Sequence, residues 1–173
     1  FCLKYPHRTY AAVLVRPAWL NEPAPPNLAM FPAIAGMIQE YGLQRARQVF
    51  KDSNFYKVWQ EQYAPAADSM EALFQGPSPE AIAATFQALP ASVPYQKADE
   101  LTHVQVPALI IGNRCDPIHP LEYAQALASA IPNAQLKEIP SKAQGVEVHT
   151  AAFRHHLREF LASAGNLTET WSA

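Results

Sequence analysis

The stretch "VPALIIGNRCDPIHP", residues 106–120, constrains the fold more than any other part of the chain. Pro107 opens a continuous apolar run, "ALIIG" (108–112), and a polar turn closes it. A strand buried on both faces has this pattern. Next comes "HPLEYAQALASAI", where Leu121, Ala124, Ala128 and Ile131 fall at i, i+3, i+7 and i+10 and so share one helical stripe. The turn "IPNA" then leads into "QLKEI" (135–139), whose alternation suits a strand at an outer position. Strand, helix and strand make a right-handed βαβ unit, and with it a parallel sheet of the α/β class. "AAVLV" (11–15), after the "YPHR" turn, is a second continuous run and is expected in the same sheet.

The chain after the third strand reads as a loop, "PSKAQGVEVH", and a closing helix, "TAAFRHHLREFLASAG". The stripe of that helix is Phe153, Leu157, Phe160 and Leu161, with Gly165 as its stop. Residues 166–173 are expected to form a loose tail.

Residues 21–100 have a different texture. "NEPAPPN" is a proline-rich exit from the first strand, and only helical patterns follow. Ile34, Met37, Ile38 and Tyr41 form one stripe that ends at Gly42. Leu43, Ala46, Val49 and Phe50 form a second. Phe55, Val58 and Trp59 suggest a third, and Met70, Leu73 and Phe74 a fourth. "SPEAIAATFQAL" is a fifth, with Ser78 as N-cap, Pro79 at the first helical position and Glu80 in the first turn. An all-helical insertion between two parallel strands reads as a cap over the strand ends. The expected organisation is a core helix end and strand (1–20), a helical cap (21–100), the core βαβ unit with its closing helix (101–165), and the tail.

Composition removes several function classes. The net charge is −2 and no basic run occurs, so nucleic acid is not an expected partner. No uninterrupted apolar stretch is long enough to span a membrane. Hydrophobic residues make up 49% of the 173, enough for a sizeable core. Cys2 and Cys115 lack metal-type spacing, and reduced thiols of a cytoplasmic protein are the simplest reading. Nothing implies a metal or an organic cofactor. The chain opens at Phe1, and "FCLKYP" reads as the last turns of a helix already under way. A preceding part is therefore expected, and the missing signal peptide is uninformative.

In open α/β sheets, sites form beyond the carboxyl ends of the strands. Asp116 sits there after "ALIIGNRC", and His149 sits in the loop after the next strand. A carboxylate beside an imidazole fixes its tautomer and stabilises the cation formed when the ring takes a proton. Each residue also has a plainer reading: aspartate is common in turns, and His149 could be a surface histidine. His119 in "DPIHP" is the second candidate base, with a structural turn role as its alternative. His155 and His156 belong to the closing helix, His156 flanking its buried face and His155 pointing outward. His7 and His103 sit in connecting segments. Cys115 adjoins the acid, but a reactive thiol needs electropositive surroundings. Trp19, beyond the first strand, is a candidate substrate-pocket residue. Arg16 and Arg114 also lie at strand ends, either pairing with a carboxylate, the preferred role, or binding an anionic substrate.

Three stretches carry a family resemblance: "LKYPHRTYAAVLVRPAW", "LTHVQVPALIIGNRCDPIHP" and "IPNAQLKEIPSKAQGVEVHTAAFRHHLREFL". They resemble the α/β-hydrolases, in the family's order. They look like the end of its nucleophile helix with the following strand, its acid-bearing strand and turn, and its histidine loop with the closing helix. The middle resembles a helical cap. Asp116 and His149 fit the second and third places of the order nucleophile, acid, histidine. The G-x-S-x-G elbow that carries the family's nucleophile is absent from the sequence, and the histidine loop reads "GVEVH" where many members have Gly-His.

The resemblance implies a C-terminal portion of a cap-bearing serine hydrolase of esterase type, acting on a small apolar or ester substrate. The 173-residue chain alone is expected to be inactive, and to self-associate through an exposed sheet edge. Two alternatives stay open. One is a non-catalytic hydrolase-like module that binds an apolar ligand or partner under the cap. The other is a hydrolase acting on a carbon–carbon or carbon–halogen bond.

Overall fold

The computed structural model describes residues 1–75 and 78–165. The chain folds into two compact units. Of the described residues, one holds 1–21, 94–115 and 119–165; the other holds 22–75 and 78–93 together with Asp116–Ile118. Residues 94–100 thus group with the sheet unit. The tail after Gly165 lies outside the described residues.

The sheet unit is built on three parallel strands in the order β1 (Ala12–Val15), β2 (Ala108–Gly112) and β3 (Ala134–Glu138). Ala12 lies across from Ala108 and Leu14 from Ile110; on the other side Ala108 faces Ala134 and Gly112 faces Glu138. β2 is central, and all five of its residues are buried. That is why it reads as an unbroken apolar run: a central parallel strand packs on both faces.

Successive side chains of a strand point to opposite faces, and the core divides on that rule. Ala108 and Ile110 pack with Leu121, Ala124, Leu127 and Ile131. The first three of these lie in helix α5 (Leu121–Ala130), and Ile131 follows its end. Leu109 and Ile111 pack on the other face with Ile139 and Phe160. Phe160 comes from helix α6 (Val146–Gly165). Full burial of each large aliphatic side chain stabilises by about 1.5–3 kcal/mol. The buried stripe of α5 runs through Leu127, with Ala128 at its margin. On α6 Phe160 is buried, but Leu161, expected in the stripe, is exposed.

Gly112 permits the close approach of α5. A Cβ there would stand 2.7 Å from Leu121 Cδ1 and 2.9 Å from Ala124 Cβ. At the start of the chain, the expected helix end is a single turn closed by Tyr5 N–H donating to Phe1 O at 2.8 Å, followed by a 3₁₀ turn over Pro6–Arg8.

The helical unit contains α1 (Met30–Asp52), α2 (Asn54–Gln62), α3 (Ala64–Ala72) and α4 (Pro79–Ala88). Gly42 breaks α1 into two segments; its φ of 71° and ψ of 166° are closed to other residues except under strain. Ser53 and Ser78 cap α2 and α4, accepting from the N–H of Tyr56 at 3.1 Å and of Ala81 at 3.2 Å. Phe50 joins the ring of Tyr56 at 5.2 Å and that of Phe74 at 5.4 Å, while Phe31 meets Phe86 edge-on at 5.2 Å. On α2 the buried pair is Tyr56 and Trp59, so Phe55 and Val58 face outward, against the stripe expected from sequence.

Candidate active site

The loops beyond the C-terminal ends of β1 and β2 carry the first candidate residues. Arg16 follows β1 at once, with φ 51°, and Cys115 lies three residues past β2, with φ 57°. Non-glycine residues in this left-handed region cost about 1–3 kcal/mol each and cluster where a site imposes them. Arg16 N–H still donates to Ile111 O at 2.7 Å, so the sheet ladder runs to the turn itself.

Arg16 and His119 meet there. A guanidinium nitrogen, Nη2, lies 3.1 Å from His119 Nδ1. An arginine can only donate, so Nδ1 of His119 accepts and its ring proton sits on Nε2. Neither nitrogen then offers a lone pair to a substrate, which counts against His119 as a base. Arg114 makes a two-point pair with Glu138 of β3, Nε to Oε1 at 2.7 Å and Nη2 to Oε2 at 3.1 Å. This is the carboxylate pairing preferred from the sequence. Cys115 is exposed, and Trp19 is half-buried just past β1.

Asp116 groups with the helical unit, whereas His149 and Trp19 belong to the sheet unit. Asp116 Oδ1 accepts from Ile118 N–H at 3.2 Å, an Asx turn that fixes the direction of its carboxylate. Ile118 O in turn accepts from Asn27 Nδ2 at 2.7 Å.

His149 is not in a loop. A 3₁₀ turn over Lys142–Gln144 and Gly145 (φ 132°) lead into α6, and His149 lies in its first turn. Its N–H donates to Gly145 O at 3.0 Å, which locks the backbone. Its Nδ1 is 2.8 Å from Pro140 O. A carbonyl only accepts, so Nδ1 carries the proton and the lone pair of the neutral ring is on Nε2. This is the tautomer a general base needs.

Sequence reasoning missed three features here. The Pro140 carbonyl as an orienting acceptor left no signal, since any residue supplies a carbonyl. The Arg16–His119 contact joins residues far apart in sequence. Asn113, directly after β2, is buried; its Nδ2 donates to Arg114 O at 2.9 Å, and its Oδ1 makes no hydrogen bond among the described residues. An asparagine after a strand reads as a turn former, and nothing in its spacing marks it as buried.

A buried central parallel strand with a flanking helix on each face defines an α/β protein. The family described as TAP-like protein, a branch of the α/β-hydrolases, matches residues 82–168, and the chain belongs to that family. No curated protein sequence matches the chain.

Solved structures with the same fold include MenH from S. aureus, at 16% identity and TM-score 0.66, covering 95% of this chain and 64% of that one. An enol-lactonase from Burkholderia xenovorans LB400 is similar at 20% identity and TM-score 0.64, covering 93% and 59%. A thermophilic esterase from Thermogutta terrifontis is similar at 21% identity and TM-score 0.60, covering 92% and 60%. The chain therefore spans about three-fifths of the length of these structures. No helix among the described residues is long and apolar enough to cross a membrane.

Proposed function

We propose that the chain supplies the acid and the histidine of a nucleophile–acid–histidine hydrolase that cleaves a carboxylic ester with an apolar group. The nucleophile, a serine, comes from a part of the hydrolase core not among these 173 residues. His149 Nε2 takes the serine proton as the hydroxyl attacks the carbonyl carbon. It then returns the proton to the departing alkoxide, and the acyl-enzyme is hydrolysed by water in the same two steps. Asp116 stabilises the imidazolium formed in between. Trp19 lines the substrate pocket. The observation that carries this reading is the 2.8 Å contact between His149 Nδ1 and the Pro140 carbonyl, which puts the ring proton on Nδ1 and leaves Nε2 as an acceptor. Two free thiols, Cys2 and Cys115, support a cytoplasmic location; recovery of the full-length protein from a secreted fraction would contradict it.

The test is turnover of p-nitrophenyl esters by the full-length enzyme. His149→Ala should lower kcat by about 10⁶, and Asp116→Ala by about 10⁴. The order matters: without the carboxylate the Pro140 carbonyl still holds the tautomer, whereas without the ring no base remains. Near-normal rates in both variants would end the assignment. An unmodified enzyme that is inert to esters but binds apolar ligands would favour the non-catalytic reading.

A further inference from the structure

Helix α6 carries a second cluster, away from its first turn. His155, His156 and Glu159 stand at i, i+1 and i+4, so the glutamate lies one turn on from both rings. Its carboxylate reaches each: Oε1 is 3.3 Å from His155 Nε2, and Oε2 is 3.5 Å from His156 Nδ1. The ring centroids are 5.1 Å apart. One ligand atom from each residue lies within 4.8 Å of the others.

An ordinary surface ion pair does not explain the whole arrangement. His156 Nδ1 is shielded from solvent and makes no hydrogen bond among the described residues. Its contact with Glu159 is short enough for charge attraction but lacks hydrogen-bond geometry. A buried nitrogen without a partner costs free energy, and a bound cation removes that cost.

We infer that His155, His156 and Glu159 form a surface site for one divalent transition-metal ion of the zinc type. Two imidazoles and one carboxylate make a borderline donor set that suits Zn²⁺, Ni²⁺ or Cu²⁺ and disfavours Ca²⁺ and Mg²⁺, which take oxygen ligands. Zinc ligands about 2.0–2.1 Å from the metal lie about 3.4 Å apart in a tetrahedron. The two nitrogen–oxygen separations, 3.3 Å to Oε1 and 3.5 Å to Oε2, are close to that spacing but use different oxygens. A turn of the Glu159 carboxylate, which offers one oxygen to both rings, and a closer approach of the rings complete the set. The His155 side chain is 64% exposed, so its rotamer changes without disturbing the core. Three protein ligands leave the fourth position to water or to a donor from another molecule. The metal chelates two successive turns and so stabilises α6.

The test is titration of purified, chelator-treated full-length protein with Zn²⁺, read by calorimetry, and with Co²⁺, read by its visible d–d absorption. The variants are His155→Ala and Glu159→Gln, both at exposed positions, with helical content checked by circular dichroism. A Cys2→Ser/Cys115→Ser background removes the thiols as competing ligands. One zinc per chain is expected. Affinity should fall tenfold or more in either variant, and zinc should raise Tm in the parent protein only. No binding in the thiol-free background, or equal affinity in parent and variants, overturns the site.

Discussion

At the scale of single residues, a strongly perturbed group lies in the helical unit. The Glu71 carboxylate accepts from Arg47 Nε at 3.0 Å, Lys51 Nζ at 3.1 Å and Tyr56 Oη–H at 2.9 Å. Hydrogen bonding from Arg47, then from Tyr56 and Lys51, holds its pKa down at about 2. Burial, and then the same carboxylate, push Tyr56 up to about 12. A depressed carboxylate contributes stability that is fully present above its unfolded value of 4.5 and is lost as pH falls through about 2. Glu71→Gln should therefore flatten the acid limb of stability between those values, and should cost about 1–2 kcal/mol at neutral pH. The cost stays small because Arg47 and Lys51, 43% and 40% exposed, recover water when the carboxylate goes. Urea unfolding of the full-length protein at pH 7 and pH 3 measures both effects. An unchanged acid limb in the variant would show that Glu71 is not the titrating group.

At the scale of elements, two glycines matter for different reasons. At Gly42 an added Cβ would meet no atom within 4 Å, so Gly42→Ala costs only the strain of φ 71°, about 1–3 kcal/mol. At Gly112 the objection is steric, since the methyl would meet Ala124 Cβ at 2.9 Å. Gly112→Ala should lose about 1–3 kcal/mol by overpacking β2 against α5. Adding Ala124→Gly should restore part of that loss, although alone it weakens the helix by about 1 kcal/mol. Thermal melts of the four proteins give the coupling, and strict additivity would refute a direct clash.

The same elements show what the sequence could reveal. β2 was legible residue for residue because burial on both faces leaves no polar position. The break at Gly42 was legible because a stripe ends there and a new one starts. Phe55 and Val58 misled, since α2 is amphipathic with aromatics on both faces and the stripe can be drawn in two phases. The start of α6 was hidden because Val146 and Val148 are β-branched and exposed, and so resemble an extended loop. The residue types of the candidate site were legible from their places after strands. Its hydrogen bonds were not, because the Pro140 carbonyl and the Arg16 guanidinium enter from chain segments that no local pattern links to the histidines.

At the scale of the molecule, the sheet raises a question of edges. Among the described residues β1 pairs only with β2, so its other edge carries unpaired N–H and C=O groups. The strand is apolar, and Val15 at its end is 42% exposed. An apolar, unpaired edge is a template for another strand, and natural sheets usually blunt such edges with charge or cover. β3, the opposite edge, has Gln135, Lys137 and Glu138 along it and is better protected. Expressed alone, the 173-residue chain should therefore self-associate through β1, seen as a mass above 19.1 kDa by light scattering after size exclusion. Val15→Lys would place a charge on that edge at a position already in contact with water, at little cost to the core. It should shift the distribution toward monomer, and a matched Gln135→Lys change on β3 should not. A monodisperse parent chain with a cooperative melt would mean that the β1 edge is satisfied in solution. An equal response to both lysines would place the association elsewhere.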